Sequence, residues 1–217
     1  MPKRQSTREL LLNTGAMIIK ESGLRAFTIR GLSLRSGTNP GSFVYYFGNR
    51  DAFLSELLER WYEPLFSEIK THANIHLPAF ERLDSMLKDI MEFLLRHGQF
   101  IAQLVLDALA GEQVAIRFLS GIHVRHPLVL LKTIREAQEE GSVVMGEPMN
   151  ILIYLACCGG APFILAGQLQ VHNPEHTRPV LDLLGAILND PKSARQRMDW
   201  ALQGILIKRS KTSRLTQ

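Results

Sequence analysis

Hydrophobic side chains recur every three to four positions along most of the chain, and no long run alternates strictly in steps of two. In the first segment Leu11, Gly15, Ile18 and Ile19 fall on one face of a helix. Prolines stand near the starts of such segments and glycines near their ends, which is the usual asymmetry of helix termini. The chain is therefore predicted to be all-α.

The positions of these prolines and glycines, together with capping residues, predict the individual helices. Thr28, Asn39 and Asn49 have side chains suited to cap the second, third and fourth of them. Pro64 lies inside the fourth helix and predicts a kink there. The fourth helix is long enough to join an N-terminal part to the rest of the chain. The expected helices cover residues 7–22, 29–36, 39–45, 50–70, 78–96, 99–110, 112–120, 127–140, 148–168, 179–188 and 191–209.

The second and third predicted helices are separated only by a tight turn at Gly37 and Thr38. This is the spacing of a helix-turn-helix, whose second helix enters the major groove of DNA. The same spacing also fits an ordinary three-helix unit with polar surface residues. The pattern alone thus leaves both interpretations open.

Charge distinguishes the two ends of the chain from its middle. The 217 residues include 25 Lys and Arg against 21 Asp and Glu, and 46% are hydrophobic, which excludes a disordered chain. Residues 1–50 carry eight basic and two acidic side chains, a net charge of +6. Residues 51–207 have a net charge of −6, and the last ten residues add +4. A basic N-terminal part favours a polyanionic partner.

The side chains around the turn are suited to bind DNA. Hydroxyl, amide and phenol groups on the third helix and its flanks can donate to phosphates or base edges. Guanidinium groups on the second helix and at the start of the fourth add attraction for phosphate. These candidates are Thr38, Asn39, Ser42, Tyr45, Tyr46, Arg30, Arg35 and Arg50.

The segment 148–174 contains no charged residue, which raises the question of a membrane span. Its apolar centre, 151–167, would be roughly 25 Å long as a helix, at the lower limit for crossing a bilayer. It contains Gly159 and Gly160 and has no flanking basic cluster. We therefore expect a helix buried in the protein core or a subunit interface, and no membrane partner.

The cysteine content and the N-terminus favour a cytoplasmic protein. Cys157 and Cys158 are the two cysteines, too few for a secreted disulfide framework. The first ten residues lack the apolar stretch of a signal peptide. Both observations indicate a reducing compartment.

Sequence signatures of catalysis are lacking. The chain has no zinc-protease spacing, no nucleophile elbow, no P-loop and no dinucleotide fingerprint. His72 and His76 are four residues apart, but their surroundings predict a loop and no third metal ligand is evident. We therefore expect no catalytic residue, no metal and no cofactor.

The stretch from Gly23 to Leu54 resembles the DNA-binding domain of the tetracycline-repressor (TetR) family of transcriptional regulators. Arg50-Asp51 stand where that family commonly has Lys-Glu, and Asn39-Pro40 stand where it commonly has Ser-Lys. The positions that match its pattern are Gly23, Thr28, Ile29, Leu32, Gly37, Gly41, Tyr46, Phe47 and Leu54.

This resemblance implies a helix-turn-helix domain over residues 1–50 and a helical effector-binding and dimerisation domain over residues 51–217. It further implies a homodimeric repressor that a small-molecule effector releases from a double-stranded DNA operator. A helical small-molecule-binding protein or enzyme without DNA binding is the alternative. The residues that the resemblance assigns to DNA are Thr28 and Arg50 on phosphate, Thr38, Asn39, Ser42 and Tyr45 in the groove, and Pro40 on a thymine methyl or sugar.

An effector pocket would be apolar with few polar groups. Asp107 is the most informative candidate, because an unpaired buried carboxylate is costly. We expect it to pair with Arg117, Arg125 or a cationic effector. The full set of candidates on the central helices is Phe66, Met86, Phe93, His97, Gln103, Leu104, Asp107, Phe118 and His123.

Dimerisation is expected of the two most apolar late helices, at 148–168 and 191–209. Together with their symmetry mates these would form a four-helix bundle, in which small residues permit close approach. The candidate interface residues are Leu152, Leu155, Cys158, Gly159, Met198, Ala201, Leu202 and Ile205.

Overall fold

The structure, a computed structural model, describes residues 6–162, 178–179 and 190–207. Within these residues, the only β-type pairing is an isolated bridge between Val143 and Leu206. A short 3-10 turn, Ile122–Val124, connects α6 to α7. The all-α prediction is confirmed. The α-helices are α1 (Thr7–Ser22), α2 (Ile29–Ser36), α3 (Pro40–Phe47), α4 (Arg50–Ala73), α5 (Ala79–Leu109), α6 (Gln113–Gly121), α7 (His126–Glu139), α8 (Pro148–Gly159) and α9 (Pro191–Ile205).

Polar side chains cap the second, third and fourth helices as the sequence predicts. Thr28 Oγ1 accepts a hydrogen bond from the Gly31 amide at 3.0 Å. Asn39 Oδ1 accepts one from the Ser42 amide at 2.8 Å, and Asn49 Oδ1 one from the Ala52 amide at 2.9 Å. Each bond satisfies an amide that has no partner within its own helix. The predicted caps are therefore confirmed.

The region predicted as two helices, at 78–96 and 99–110, is one continuous helix, α5. Gly98 lies within it without ending it. A glycine inside a helix costs about 1 kcal/mol relative to alanine, which the packing of a long buried stripe outweighs. Helix α4 likewise continues through Pro64 as far as Ala73. His72, expected in a loop, lies in the last turn of α4.

Several predictions fall outside the described residues. The predicted helix at 148–168 is described as α8 up to Gly159, with residues 163–168 outside. The predicted helix at 179–188 is outside except for its first residue, and the basic tail from residue 208 is outside entirely.

An aromatic cluster forms the core between the first helices and the start of α4. Phe53 of α4 packs on Phe27, Phe43 and Phe47, with ring centroids 5.2, 5.1 and 4.7 Å away. These four rings are buried. Because Phe53 lies beyond residue 50, the core of the helix-turn-helix unit includes the first turns of α4. Helix α4 also packs on α5, α6 and α7, so it joins the two parts of the chain.

One helical stretch among the described residues, Gln113–Glu139, is long and apolar enough to cross a membrane by length and composition. It consists of α6, the 3-10 turn and α7. A single stretch of this kind is weak support for a membrane span, because helices of soluble proteins pass the same test.

Candidate nucleic-acid interface and effector cavity

Helices α2 and α3 are joined by a turn of three residues. Gly37 has a φ of +67°, in the left-handed region that favours glycine, and its amide bonds to the Ser33 carbonyl. The Thr38 hydroxyl lies 2.8 Å from the Ser36 hydroxyl. This turn sets the angle at which α3 leaves the domain.

Helix α3 has one buried and one exposed side. Phe43 and Phe47 are buried in the aromatic cluster. Pro40, Gly41, Val44 and Tyr45, at helical spacing i, i+1, i+4 and i+5, are exposed, and Tyr45 retains 82% of its surface. We call these four residues the α3 stripe. A helix that presents such a stripe next to a tight turn has the shape required to enter a DNA groove.

The polar groups near the α3 stripe retain protons that they can donate to DNA. The Thr28 and Asn39 side-chain oxygens accept bonds from helix amides, which leaves the Thr28 hydroxyl proton and the Asn39 amide protons for phosphate or base edges. Arg30 and Tyr46 are exposed, whereas Thr38 and Ser42 are half-buried. Contact of these residues with DNA stays a prediction.

Two of the candidate cations are engaged inside the chain. Arg35 forms a bidentate ion pair with Glu21, in which its two terminal nitrogens lie 2.5 and 2.7 Å from the carboxylate oxygens. Arg50 donates to both carboxylate oxygens of Glu112, at 3.2 and 2.9 Å, and to the carbonyls of Leu24 and Phe27. The bonds from Arg50 lower the pKa of the Glu112 carboxyl. Arg50 thus connects the loop before α2 to the start of α6, and we call the hydrogen bonds around Leu24 the Leu24 link. Contact of Arg50 with phosphate stays a prediction.

Asp107 belongs to the same link. Its Oδ2 accepts a bond of 2.6 Å from the Leu24 amide, and its Oδ1 accepts one of 3.0 Å from Gln103 Nε2. Arg50 Nη2 donates to the Leu24 carbonyl at 2.6 Å. The backbone amide and the backbone carbonyl of the buried Leu24 are therefore both bound by side chains, those of Asp107 and Arg50. The expected partners Arg117 and Arg125 instead pair with Asp51 and Glu59.

In the described part of the chain, the nine effector-pocket candidates lie in several different environments. Phe93, His97 and Phe118 pack around Trp61, with ring centroids 4.9, 5.7 and 6.3 Å from it. Met86 and Leu104 are buried in the core, Phe66 stacks on Tyr62 at 5.9 Å, and His123 is exposed. Gln103 and Asp107 belong to the Leu24 link. Contact of these nine residues with an effector stays a prediction.

An apolar cavity of about 360 Å³ lies elsewhere, between α5, α7, α8 and α9. This volume is at the small end of the range for ligand sites. Among the described residues of its lining His126 is the polar one, and its Nδ1 lies 2.6 Å from the Tyr62 hydroxyl. Burial lowers the pKa of His126 to about 4 and raises that of Tyr62 to about 12. The lining consists of Leu87, Ile90, Met91, Leu94, His126, Pro127, Leu130, Leu152, Ile153, Leu155, Ala156, Gly159, Gly160 and Met198.

Most of the predicted dimer residues face the interior of the protomer. Helices α8 and α9 pack on α5 and α7 through the most apolar sides of α8 and α9. A different set of large side chains remains exposed on the two helices. We call Met149, Ile153, Tyr154 and Trp200 the α8–α9 face. Of the original candidates, Leu155, Gly159, Met198, Ala201, Leu202 and Ile205 are buried, and Leu152 and Cys158 are half-buried.

The candidate residues taken from the sequence did not include Val44, His126 or Glu112. The helical spacing from Pro40 would have identified Val44. A histidine followed by proline at the start of a helix gives no signal of a cavity, and neither does a glutamate that caps α6. Their roles depend on which distant elements pack against them.

Comparison with known proteins identifies the first domain. Residues 11–57 match the family model for bacterial regulatory proteins, tetR family. The HTH-type transcriptional repressor KstR2 of Mycobacterium tuberculosis is 28% identical over 92 residues, 42% of this chain and 46% of that protein. The aligned part of the chain thus spans less than half the length of this curated relative.

Solved structures match over nearly the whole chain. The SmeT–triclosan complex has a TM-score of 0.70 at 17% identity and covers 98% of this chain and 97% of its own; SmeT is the repressor of a multidrug efflux pump of Stenotrophomonas maltophilia. The ketosteroid transcriptional regulator KstR2 of Mycobacterium tuberculosis has a TM-score of 0.66 at 19% identity, with coverages of 95% and 98%. At these identities the likeness concerns the fold.

Proposed function

This chain belongs to the tetR family of bacterial regulatory proteins, and on that premise we propose that it is a sequence-specific DNA-binding repressor released by a small-molecule effector. The observation that carries the proposal is the match over residues 11–57 together with the exposed α3 stripe inside it. The net charge of +6 over residues 1–50 supplies sequence-independent attraction to DNA. We infer that the protein acts in the cytoplasm, without enzymatic activity and without a membrane partner.

A salt titration tests DNA binding. The affinity for an operator should fall steeply with salt, because binding releases counterions from phosphates. A specific site should still be preferred over random duplex at each salt concentration. If no sequence competes better than random duplex, the chain is a helical binding protein of another kind.

Tyr45 should contribute strongly to operator affinity. It is the most exposed residue of the α3 stripe, and its ring rests edge-on against Tyr46 with centroids 4.9 Å apart. We expect Tyr45→Ala to weaken operator binding about tenfold, within the range of one lost base or phosphate contact. Fluorescence anisotropy with labelled operator measures the change.

Two further variants control the Tyr45 experiment. Tyr45→Phe keeps the ring and separates the hydroxyl's contribution from that of packing. Leu128→Ala removes a side chain of α7 that is 54% exposed and far along the chain from α3, and should leave the affinity unchanged. An unaltered affinity in Tyr45→Ala would remove this residue from the interface.

We place the homodimer contact on the α8–α9 face. One short helix reads few bases, so a two-fold dimer is needed to span two half-sites. Ile153 and Trp200 are 53% and 61% exposed, and large apolar side chains in such a patch favour a protein interface. Dimerisation by this face leaves the two α3 stripes free for DNA.

Ile153→Asp should weaken the dimer about 30-fold, since it brings a carboxylate into an apolar interface from both subunits. Analytical ultracentrifugation across a dilution series measures the dissociation constant. Val124→Asp, a change at another exposed apolar position, should leave it unchanged. Equal dissociation constants for the wild type and Ile153→Asp would exclude this face as the dimer contact.

The apolar cavity is the proposed effector site. It lies against α5, the helix whose far end carries Asp107 and holds the loop before α2. An effector that binds one arrangement of α5 more tightly than another would shift that loop and, with it, the α3 stripe. SmeT, which has the same fold, has been solved in complex with triclosan, which supports a ligand site in this fold.

A further inference from the structure

The described residues in the walls of the effector cavity include one side chain that can form hydrogen bonds, His126. Among the described residues that line it, all are apolar or glycine except His126. Neither a lysine, an arginine, an aspartate nor a glutamate is part of this described lining. A ligand that fits the cavity therefore meets dispersion contacts on most sides and one polar group at the start of α7.

Tyr62 fixes the orientation of the imidazole. The Tyr62 hydroxyl lies 2.6 Å from His126 Nδ1, and the Tyr62 ring is held between Phe66 and Phe118, at centroid distances of 5.9 and 5.8 Å. Tyr62 is 2% exposed, so its ring position is set by packing. With Nδ1 engaged, Nε2 is the ring nitrogen left for a molecule in the cavity.

The same bond selects the tautomer. A phenol has one proton, and in the described part of the chain the Tyr62 hydroxyl has His126 Nδ1 as its hydrogen-bond partner. If the imidazole donated to the phenol oxygen, the buried phenol proton would have no acceptor, which is costly. Tyr62 therefore donates to Nδ1. The ring proton of a neutral His126 is then on Nε2, and burial keeps the pKa of this histidine near 4.

We propose that the effector is an uncharged, largely apolar molecule with a hydrogen-bond acceptor, such as a ketone or ester oxygen, that accepts the His126 Nε2 proton. The proposal rests on the proposed function, since it specifies the ligand of the same cavity. The described lining offers an anion no cation and a protonated amine no carboxylate, so burial of either charge is disfavoured there. A pure hydrocarbon would leave the imidazole N–H without a partner.

Matched probes test the acceptor requirement. Benzophenone and diphenylmethane differ only in the carbonyl, and 4-benzoylbenzoate adds a negative charge to the same frame. Equilibrium dialysis with the full chain in the absence of DNA should give a dissociation constant about fivefold lower for benzophenone than for diphenylmethane, the effect of one neutral hydrogen bond. 4-Benzoylbenzoate should bind more weakly than benzophenone.

Variants assign the preference to His126. His126→Leu should bind the two uncharged probes equally, and Tyr62→Phe should reduce the preference because it frees the tautomer. His76→Leu, a change at an exposed histidine outside the cavity lining, should retain the fivefold ratio. The wild-type ratio and Tyr62→Phe keep the test valid if His126→Leu does not fold.

Three results would overturn the proposal: equal binding of benzophenone and diphenylmethane by the wild type, an unchanged ratio in His126→Leu, or binding of none of the probes. Failure of the proposed function is a separate outcome. A chain that shows the ketone preference but recognises no operator would contradict the repressor assignment and leave the ligand class standing.

Discussion

Phe53→Ala should lower the free energy of unfolding by about 3–5 kcal/mol, the usual cost of removing a buried phenylalanine. The ring is fully buried and contacts Phe27, Phe43 and Phe47. The loss therefore removes the centre of the helix-turn-helix core. Urea denaturation at a fixed protomer concentration, which keeps the contribution of dimerisation constant, measures the change.

Gly15 supplies a matched test of the same contact. A Cβ added at Gly15 would lie 2.5 Å from Phe53 Cζ and 2.7 Å from Phe53 Cε1. In an open helix Gly→Ala stabilises by roughly 0.5–1 kcal/mol, but here overpacking should cost about 1–3 kcal/mol. The sign of the effect thus reports how closely α1 and α4 approach.

A double variant separates packing from other causes. Phe53→Leu shortens the side chain that the new methyl group would strike, so Gly15→Ala should cost less in its presence than in the wild type. If Gly15→Ala stabilises the wild-type chain, the close approach of α1 and Phe53 is excluded.

Asp107→Ala should lower the free energy of unfolding by about 1–3 kcal/mol, because it leaves the buried Leu24 amide without an acceptor. Asp107→Asn keeps an oxygen at this position and should cost less. Leu109→Ala, two residues further along α5 and 78% exposed, should have little effect. Thermal or urea unfolding compares the three variants.

Amide hydrogen exchange measures the effect of Asp107 at the site of its hydrogen bond. The Leu24 amide should exchange faster in Asp107→Ala than in the wild type, whereas amides in the middle of α4 should keep their protection unless the whole chain opens. Slow exchange at Leu24 in the variant would show that another group holds this loop. The measurement therefore distinguishes loss of the Leu24 link from general destabilisation.

Local signals in the sequence were sufficient for the helices and for the family of the first domain. Caps at Thr28, Asn39 and Asn49 depend on neighbours within three residues, and the structure confirms them. The two errors in helix length have a common cause. At Gly98 and in the last turn of α4, packing against other helices overrides a local tendency to end the helix.

Candidate residues were less predictable where their role depends on distant partners. Asp107 was singled out as a buried carboxylate, yet its partner is a backbone amide 83 positions earlier in the chain. Arg50 has the residue type and position of a phosphate ligand. Its guanidinium, however, binds Glu112, which caps α6 and lies 62 positions later in the chain. Residue type alone indicates that a partner is needed and leaves its identity open.

Short-range patterns were enough to predict that the chain is helical, where α2, α3 and α4 begin, and that residues 23–54 resemble a DNA-reading domain. The contacts between distant helices were needed to establish three other features: the apolar sides of α8 and α9 that are buried within the protomer, the packing of Trp61 on Phe93 and His97, and the position of the cavity beside His126. An apolar residue gives the same hydrophobic signal in the sequence whether it lines a cavity, belongs to the core or lies in an interface. Only the packing of distant helices separates these three environments.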